Sequence, residues 1–171
     1  MAAPDHGREP VTWFRRLVVA VALIALSPAC SHALDDPLVI SAKYYFIGGI
    51  TIGASLKEVH AAFGQPKKSE AAPFPAFCKD RLAEDYGGVK AVFCNGRLLH
   101  LSCFAKGFKT PSGIEVGMGQ AEVLKKQGNT IVRESDGGQV IRYRAASPDK
   151  FLIIHFKNGR VVEIELWFGQ T

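Results

Sequence analysis

Glu163 and Glu165 stand one residue apart in the last apolar stretch of the chain. At that spacing they share one side of an extended strand, and paired carboxylates can divide general acid and general base between them. His155 lies in the stretch before them and His100 in an earlier one. Imidazole is the side chain whose proton exchanges most readily near neutrality. Cys94 and His100 also fall toward one surface, the residue types of a thiol nucleophile and its base. None of these sits in a pattern that defines a reaction. The chain has no Gly-x-Ser-x-Gly, no phosphate-binding loop and no His-Glu-x-x-His. Gly117-Met118-Gly119-Gln120-Ala121-Glu122 begins like a dinucleotide loop but lacks the third glycine and a parallel βαβ context, so it reads as a helix start. A solvated strand face is the simpler account of Glu163 and Glu165, and His60, on a helix, reads as a surface or satisfied position. No enzyme and no cofactor are expected.

Compartment bears on the thiols. Arg15-Arg16 is followed by the uncharged apolar run Leu17 to Leu26 and then by Ser31-His32-Ala33. Basic flank, short apolar core and small residues make a secretory signal peptide over residues 1–33, cleaved before Leu34. Ala29-Cys30 resembles the end of a bacterial lipobox, although Ser27 and Pro28 fit it poorly. Arg15-Arg16 also resembles a twin-arginine signal in poorly matching surroundings. The expected location is periplasmic or secreted in a bacterium, with membrane attachment only if Cys30 is lipidated. Three cysteines follow, Cys78, Cys94 and Cys103, so one disulfide and one free thiol are expected. Their spacing matches no zinc site, and the sequence gives no metal. From Leu34 onward 18 basic residues face 14 acidic ones without a long basic run, which argues against nucleic acid.

The elements that position these groups occur twice. Ile50, Gly53, Glu58, Val59 and Gly64 recur 64 positions later as Ile114, Gly117, Glu122, Val123 and Gly128. Asn95-Gly96-Arg97 recurs 63 positions later as Asn158-Gly159-Arg160. A constant offset of this kind is an internal repeat. Ser55 and Glu58 form a capping box opening a helix that Gly64 closes; Gly119 and Gly128 bound its counterpart. Gln65 to Phe77 reads as a proline-rich loop pinned to the core by Phe74 and Phe77. Asn-Gly centres predict type I′ hairpins joining Val89–Cys94 to Leu98–Phe104 and Phe151–Lys157 to Val161–Phe168. Each unit is therefore a short helix followed by a three-stranded antiparallel meander. The expected fold class is α+β, with both meanders in one curved sheet and the helices on one face. The domain scheme is a lead-in at 34–47, repeat 1 at 48–110 and repeat 2 at 111–171.

Alternation assigns the faces. Val162, Ile164, Leu166 and Phe168 are expected toward the helices, with Leu152, Ile154, Phe156, Phe93, Leu101 and Cys103. Val161, Glu163, Glu165 and Trp167 take the open face with Ile153, His155, His100, Ser102 and Phe104. Arg142 and Arg144 on the preceding strand join them. Phe104 and Trp167 occupy equivalent positions. Pairing across Gly87-Gly88 sets Arg81 opposite Cys94 and brings Cys78 near Cys94, so Cys78–Cys94 is the expected disulfide against the competing Cys78–Cys103.

Ile-Thr-Ile-Gly-x-Ser-x-x-Glu-Val, then Phe-Gly-x-Pro, then Val-x-Phe and Asn-Gly-Arg-Leu, resembles the repeat of the BamE (SmpA/OmlA) and β-lactamase-inhibitory-protein fold over most of Gly48 to Gly169. Single-repeat members of that family are envelope lipoproteins assisting outer-membrane protein assembly. Two-repeat members resemble secreted inhibitors that bind a hydrolase with the open sheet. The resemblance implies a non-enzymatic binding module, inhibitor-like or envelope-associated, whose partner is another envelope or secreted protein. A BamE-like outer-membrane assembly lipoprotein, or an enzyme of unrecognised type, is the alternative. The candidate protein-binding residues are Phe104, His100, Arg142, Arg144, His155, Glu163, Glu165 and Trp167.

Overall fold

The two Asn-Gly centres fold as their sequence demands. Asn95 and Asn158 take φ of 49° and 53°, and Gly96 and Gly159 take 72° and 69°. Left-handed backbone at both central residues is the type I′ turn, whose twist matches that of the strands it joins. A computed structural model of the chain describes residues 38–72, 77–128, 133–135 and 138–169, with side chains excepted at 133–135. The leader, its cleavage point, Cys30 and Phe74 lie outside the described residues.

In chain order the elements are β1 (Leu38–Val39), a 3-10 turn (Ala42–Tyr44), α1 (Leu56–Phe63), β2 (Lys68–Ala71), β3 (Arg81–Asp85), β4 (Val89–Cys94) and β5 (Arg97–Cys103). After these come α2 (Gln120–Gln127), β6 (Arg133–Ser135), β7 (Gly138–Arg144), β8 (Lys150–Lys157) and β9 (Arg160–Phe168). All strands join one sheet in the order β1-β7-β8-β9-β5-β4-β3-β2, with β6 beside β1 on the same edge of β7. The described residues fall within one unit, Asp36–Thr171. Among them no helix is long and apolar enough to cross a membrane.

This architecture corrects the expected fold class. The chain does not build two repeats of one helix and a three-stranded antiparallel meander. Among the described residues it builds a single mixed sheet of nine strands carrying two helices of eight residues each. β1 runs parallel to β7, pairing Leu38 with Tyr143 and Val39 with Arg144. β2, expected as loop, pairs antiparallel with β3 from Lys68–Asp85 to Ala71–Leu82. All four β2 residues are exposed, so no apolar alternation marked them. Phe77 does not pin the loop; it is 75% exposed.

The repeated residues do make repeated contacts. Ser55 caps α1 reciprocally with Glu58 through Ser55 N to Glu58 Oε2 at 2.6 Å and Glu58 N to Ser55 Oγ at 3.3 Å. α2 starts at Gly119 without a side-chain cap. Each Asn-Gly-Arg turn docks on the residues before its helix. Gly53 N donates to Leu98 O and Gly117 N to Val161 O, both at 2.8 Å. Arg97 and Arg160 reach back to the carbonyls of Gly53 and Gly117 at 3.3 and 3.1 Å.

Both hairpins also carry a bulge just past the turn. Val92 faces His100 while Phe93 faces Leu98, which leaves Leu99 as the extra residue. His155 faces Glu163 while Phe156 faces Val161, which leaves Val162 extra. An inserted residue reverses the alternation beyond it. Val161 is therefore buried and Val162 is 40% exposed, the reverse of the expected assignment. Phe168, at the strand end, is exposed as well.

Val59 of α1 and Val123 of α2 share one buried cluster with Phe93, Leu101, Ile154 and Leu166. Fully burying an aliphatic side chain of this size contributes about 1.5–3 kcal/mol. Ile40, Tyr45, Ile47 and Ile50 enter the same cluster, so the described lead-in packs on the helix side of the sheet. Phe151 and Ile153 are buried outside that cluster, on the opposite side. Ile153 had been expected exposed.

Candidate functional site

The opposite side of β5, β9, β8 and β7 collects the chemistry. Register sets His100 against Trp167 and Ser102 against Glu165 across the β5–β9 pairing. It sets Glu165 against Ile153 and Glu163 against His155 across β9–β8, and Ile153 against Arg142 across β8–β7. The bulges at Leu99 and Val162 keep the residues beyond them in phase, so His100, Ser102, Glu163, Glu165 and Trp167 share this side.

Glu165 is the centre. His155 Nε2 lies 3.0 Å from its Oε2 and His100 Nε2 lies 3.4 Å from its Oε1. Ser102 Oγ donates to Oε1 at 3.3 Å and lies 3.2 Å from His100 Nε2. Burial alone would push the Glu165 carboxyl up, but the bonds from His100 and His155 outweigh it and hold it well below the usual carboxylate range. Glu163 goes the other way: burial and the neighbouring Glu165 charge push it up. The bond to Glu165 raises His155 against the opposing effect of its own burial. His155, Glu163 and Glu165 place one ligand-type atom each within 4.8 Å of one another. Such an arrangement can retain a proton between two unequal carboxylates or hold a cation.

Around this centre lie flat contacts. The rings of His100 and Trp167 meet edge to face with centroids 5.0 Å apart. The Arg142 guanidinium lies 5.7 Å from the centroid of Phe151, and Lys90 Nζ lies 5.7 Å from that of Phe104. Phe104 is 42% exposed. A shallow cleft of about 270 Å³ opens beside His100 and Ser102 toward Lys68, Glu70 and Lys90. Arg144 lies at the β7 position opposite Phe151.

The structure thus brings His100, His155, Glu163, Glu165 and Trp167 together, with Arg142 on the neighbouring strand. Phe104 follows β5, in the position equivalent to Trp167 by the 63-residue offset. Glu163 and Glu165 are half-buried, not a solvated strand face. Ser102 was placed on this side from the sequence but not seen as the link between His100 and Glu165. Cys78 and Cys94 form a disulfide with Cα atoms 5.6 Å apart, and Cys103 is a buried free thiol. A disulfide fits an oxidising compartment.

No protein-family profile and no curated protein matches the chain. Similar solved structures include an extracellular protein containing an SCP domain from Bacillus anthracis str. Ames, with TM-score 0.48 and 12% identity over 68% of this chain and 44% of that one. A cysteine-rich secretory protein from Staphylococcus aureus gives 0.48 and 13% over 78% of this chain and 50% of that one. The chain therefore spans about half the length of these two proteins. A Streptococcus mutans protein provisionally described as a β-lactamase inhibitor gives 0.30 and 16% over 64% of this chain and 79% of that one. Likenesses this distant carry no argument about function. A β-lactamase-inhibitor-like neighbour is present among them, and likeness to BamE is not shown.

Proposed function

We propose that the chain is an exported, non-enzymatic module that binds another envelope or secreted protein through the side of the sheet opposite its helices. The observation that supports this reading is the composition of that side. Phe104 just past β5, His100 on β5, Trp167 on β9 and Arg142 on β7 surround a partly buried ion-paired centre. Aromatic residues and arginine are the usual anchors of protein interfaces, where a few central side chains supply most of the affinity. The lead-in packs against the helices instead, so its described part does not occupy this side. The disulfide supports action outside the reducing cytosol.

The test is crosslinking in the native compartment followed by identification of the captured protein. Trp167→Ala and Phe104→Ala are each expected to weaken the complex about 30-fold, the effect of losing an interface anchor of roughly 2 kcal/mol. Lys57→Ala, an exposed position on α1, serves as the control. Equal capture by Trp167→Ala, Phe104→Ala and wild type would remove this side of the sheet from the proposal.

A further inference from the structure

We propose that His155, Glu163 and Glu165 form a binding site for a divalent metal ion of the zinc class, with His100 positioning Glu165 from the neighbouring strand. The inference rests on convergence. β5, β9 and β8 are consecutive neighbours in the sheet, and their register sets His155 opposite Glu163 and places Glu165 between the two imidazoles. One ligand-type atom from each of His155, Glu163 and Glu165 falls within 4.8 Å of the others, and His100 Nε2 is 3.4 Å from Glu165 Oε1. Zinc bound tetrahedrally to nitrogen and oxygen at about 2.0–2.2 Å keeps its ligand atoms roughly 3.3–3.6 Å apart. His155 Nε2 and Glu165 Oε2, 3.0 Å apart, lie just inside that spacing, and all three ligand atoms lie within 4.8 Å of one another.

Charge supports the same reading. Two carboxylates lie side by side on a partly buried surface, with side-chain exposure of 18% at Glu165. The imidazoles bond Glu165, and Glu163 remains next to a negative neighbour. A dication between them offsets that repulsion. One imidazole and two carboxylates suit zinc, copper(II) or nickel(II), whereas calcium and magnesium prefer oxygen ligands throughout. His60 and Glu84 form the other close His–carboxylate pair on the helix side. There the carboxylate accepts from both His60 and Tyr86. The metal inference does not rest on partner binding, and either can fail alone.

The experiment uses the full chain, expressed without a histidine tag and stripped with a chelator. Zn²⁺ is titrated calorimetrically and Co²⁺ by visible absorption. The expected result is one ion per chain, with the visible bands of four-coordinate cobalt. His155→Ala and Glu165→Gln each remove a ligand and are expected to weaken zinc binding by more than the roughly 10–100-fold that loss of an outer-shell partner costs, and His60→Ala to leave it unchanged. Glu163→Gln keeps the side-chain size and is expected to abolish the rise in Tm that zinc gives the wild type. Circular dichroism of each variant separates lost binding from lost folding. A wild-type chain that takes up no zinc, or a folded Glu165→Gln that binds it as tightly as wild type, overturns the site.

Discussion

Glu84 shows how much a single buried charge can organise. It is 5% exposed, projects to the helix side from β3, and accepts a bond from His60 of α1 at 2.9 Å and one from the Tyr86 hydroxyl. Burial and the adjacent Glu84 charge push Tyr86 up, so it stays a neutral donor. Truncating one partner of a buried carboxylate leaves part of its desolvation cost uncompensated. His60→Ala is therefore expected to cost about 1.5–3 kcal/mol in urea unfolding, with Tyr86 still holding Glu84. A loss below about 0.5 kcal/mol, the range of ordinary surface changes, would show that Glu84 does not depend on His60. The sequence placed His60 as a surface or satisfied residue and named no partner, because the two are 24 positions apart on unlike elements. Cys103 is a second buried case. Burial pushes its thiol up, so iodoacetamide should leave it unlabelled in the native protein and label it after unfolding, as read by peptide mass.

At the level of elements, α1 carries an acid-sensitive cap. The bonds from the Ser55 backbone and hydroxyl hold the Glu58 carboxyl below its ordinary value of 4.5. A group lowered by folding stabilises the native state above its unfolded pKa, and that stability is lost as pH falls through the folded value. Wild type should therefore lose helix stability below about pH 4.5, and Glu58→Ala should flatten that acid limb; an unchanged slope in the thermal midpoint against pH would remove the cap as its source. The disulfide ties the segment before β3 to the end of β4 across 16 positions. Closing a loop of that length is worth about 3 kcal/mol in the chain-entropy description, so a Cys78→Ser, Cys94→Ser double variant should lose close to that amount by urea titration. Helix caps and Asn-Gly turns were legible because their information is local. β2 was not, because all four residues of Lys68-Ser69-Glu70-Ala71 are exposed and its strand character comes from β3 beside it. The bulges were not legible either. Counting alternate residues carries parity straight through Leu99 and Val162, and only the pairing shows that each is extra. The open-side residues of β5 and β9 came out together because each lies beyond its bulge, where the count was in phase, and β7 and β8 carry no extra residue. Their convergence on Glu165 needed the cross-strand register, which no single stretch encodes.

On the scale of the whole molecule the decisive joint is β5 against β9. Four residue pairs, His100–Trp167, Leu101–Leu166, Ser102–Glu165 and Cys103–Ile164, connect the strands from the first half of the chain to those from the second. Alternate pairs serve opposite purposes. Leu101, Leu166, Cys103 and Ile164 are all fully buried on the helix side, whereas His100, Trp167, Ser102 and Glu165 make up the candidate site. The same joint thus fuses the two halves into one core and assembles the site from both. If it does, neither half should melt alone. Leu98 of the first half and Ile154 of the second belong to one buried cluster. Truncating either to alanine should cost about 2–5 kcal/mol and lower a single common transition. The check is thermal unfolding followed by tryptophan fluorescence, sensitive to Trp167 at the joint, and by far-ultraviolet circular dichroism, sensitive to every strand. Coincident midpoints in wild type and in both variants are expected. Separate midpoints in Leu98→Ala, with the second half surviving the first, would mean that the sheet is continuous but its stability is not. The candidate site would then lose His100 and Ser102 before it lost Glu165.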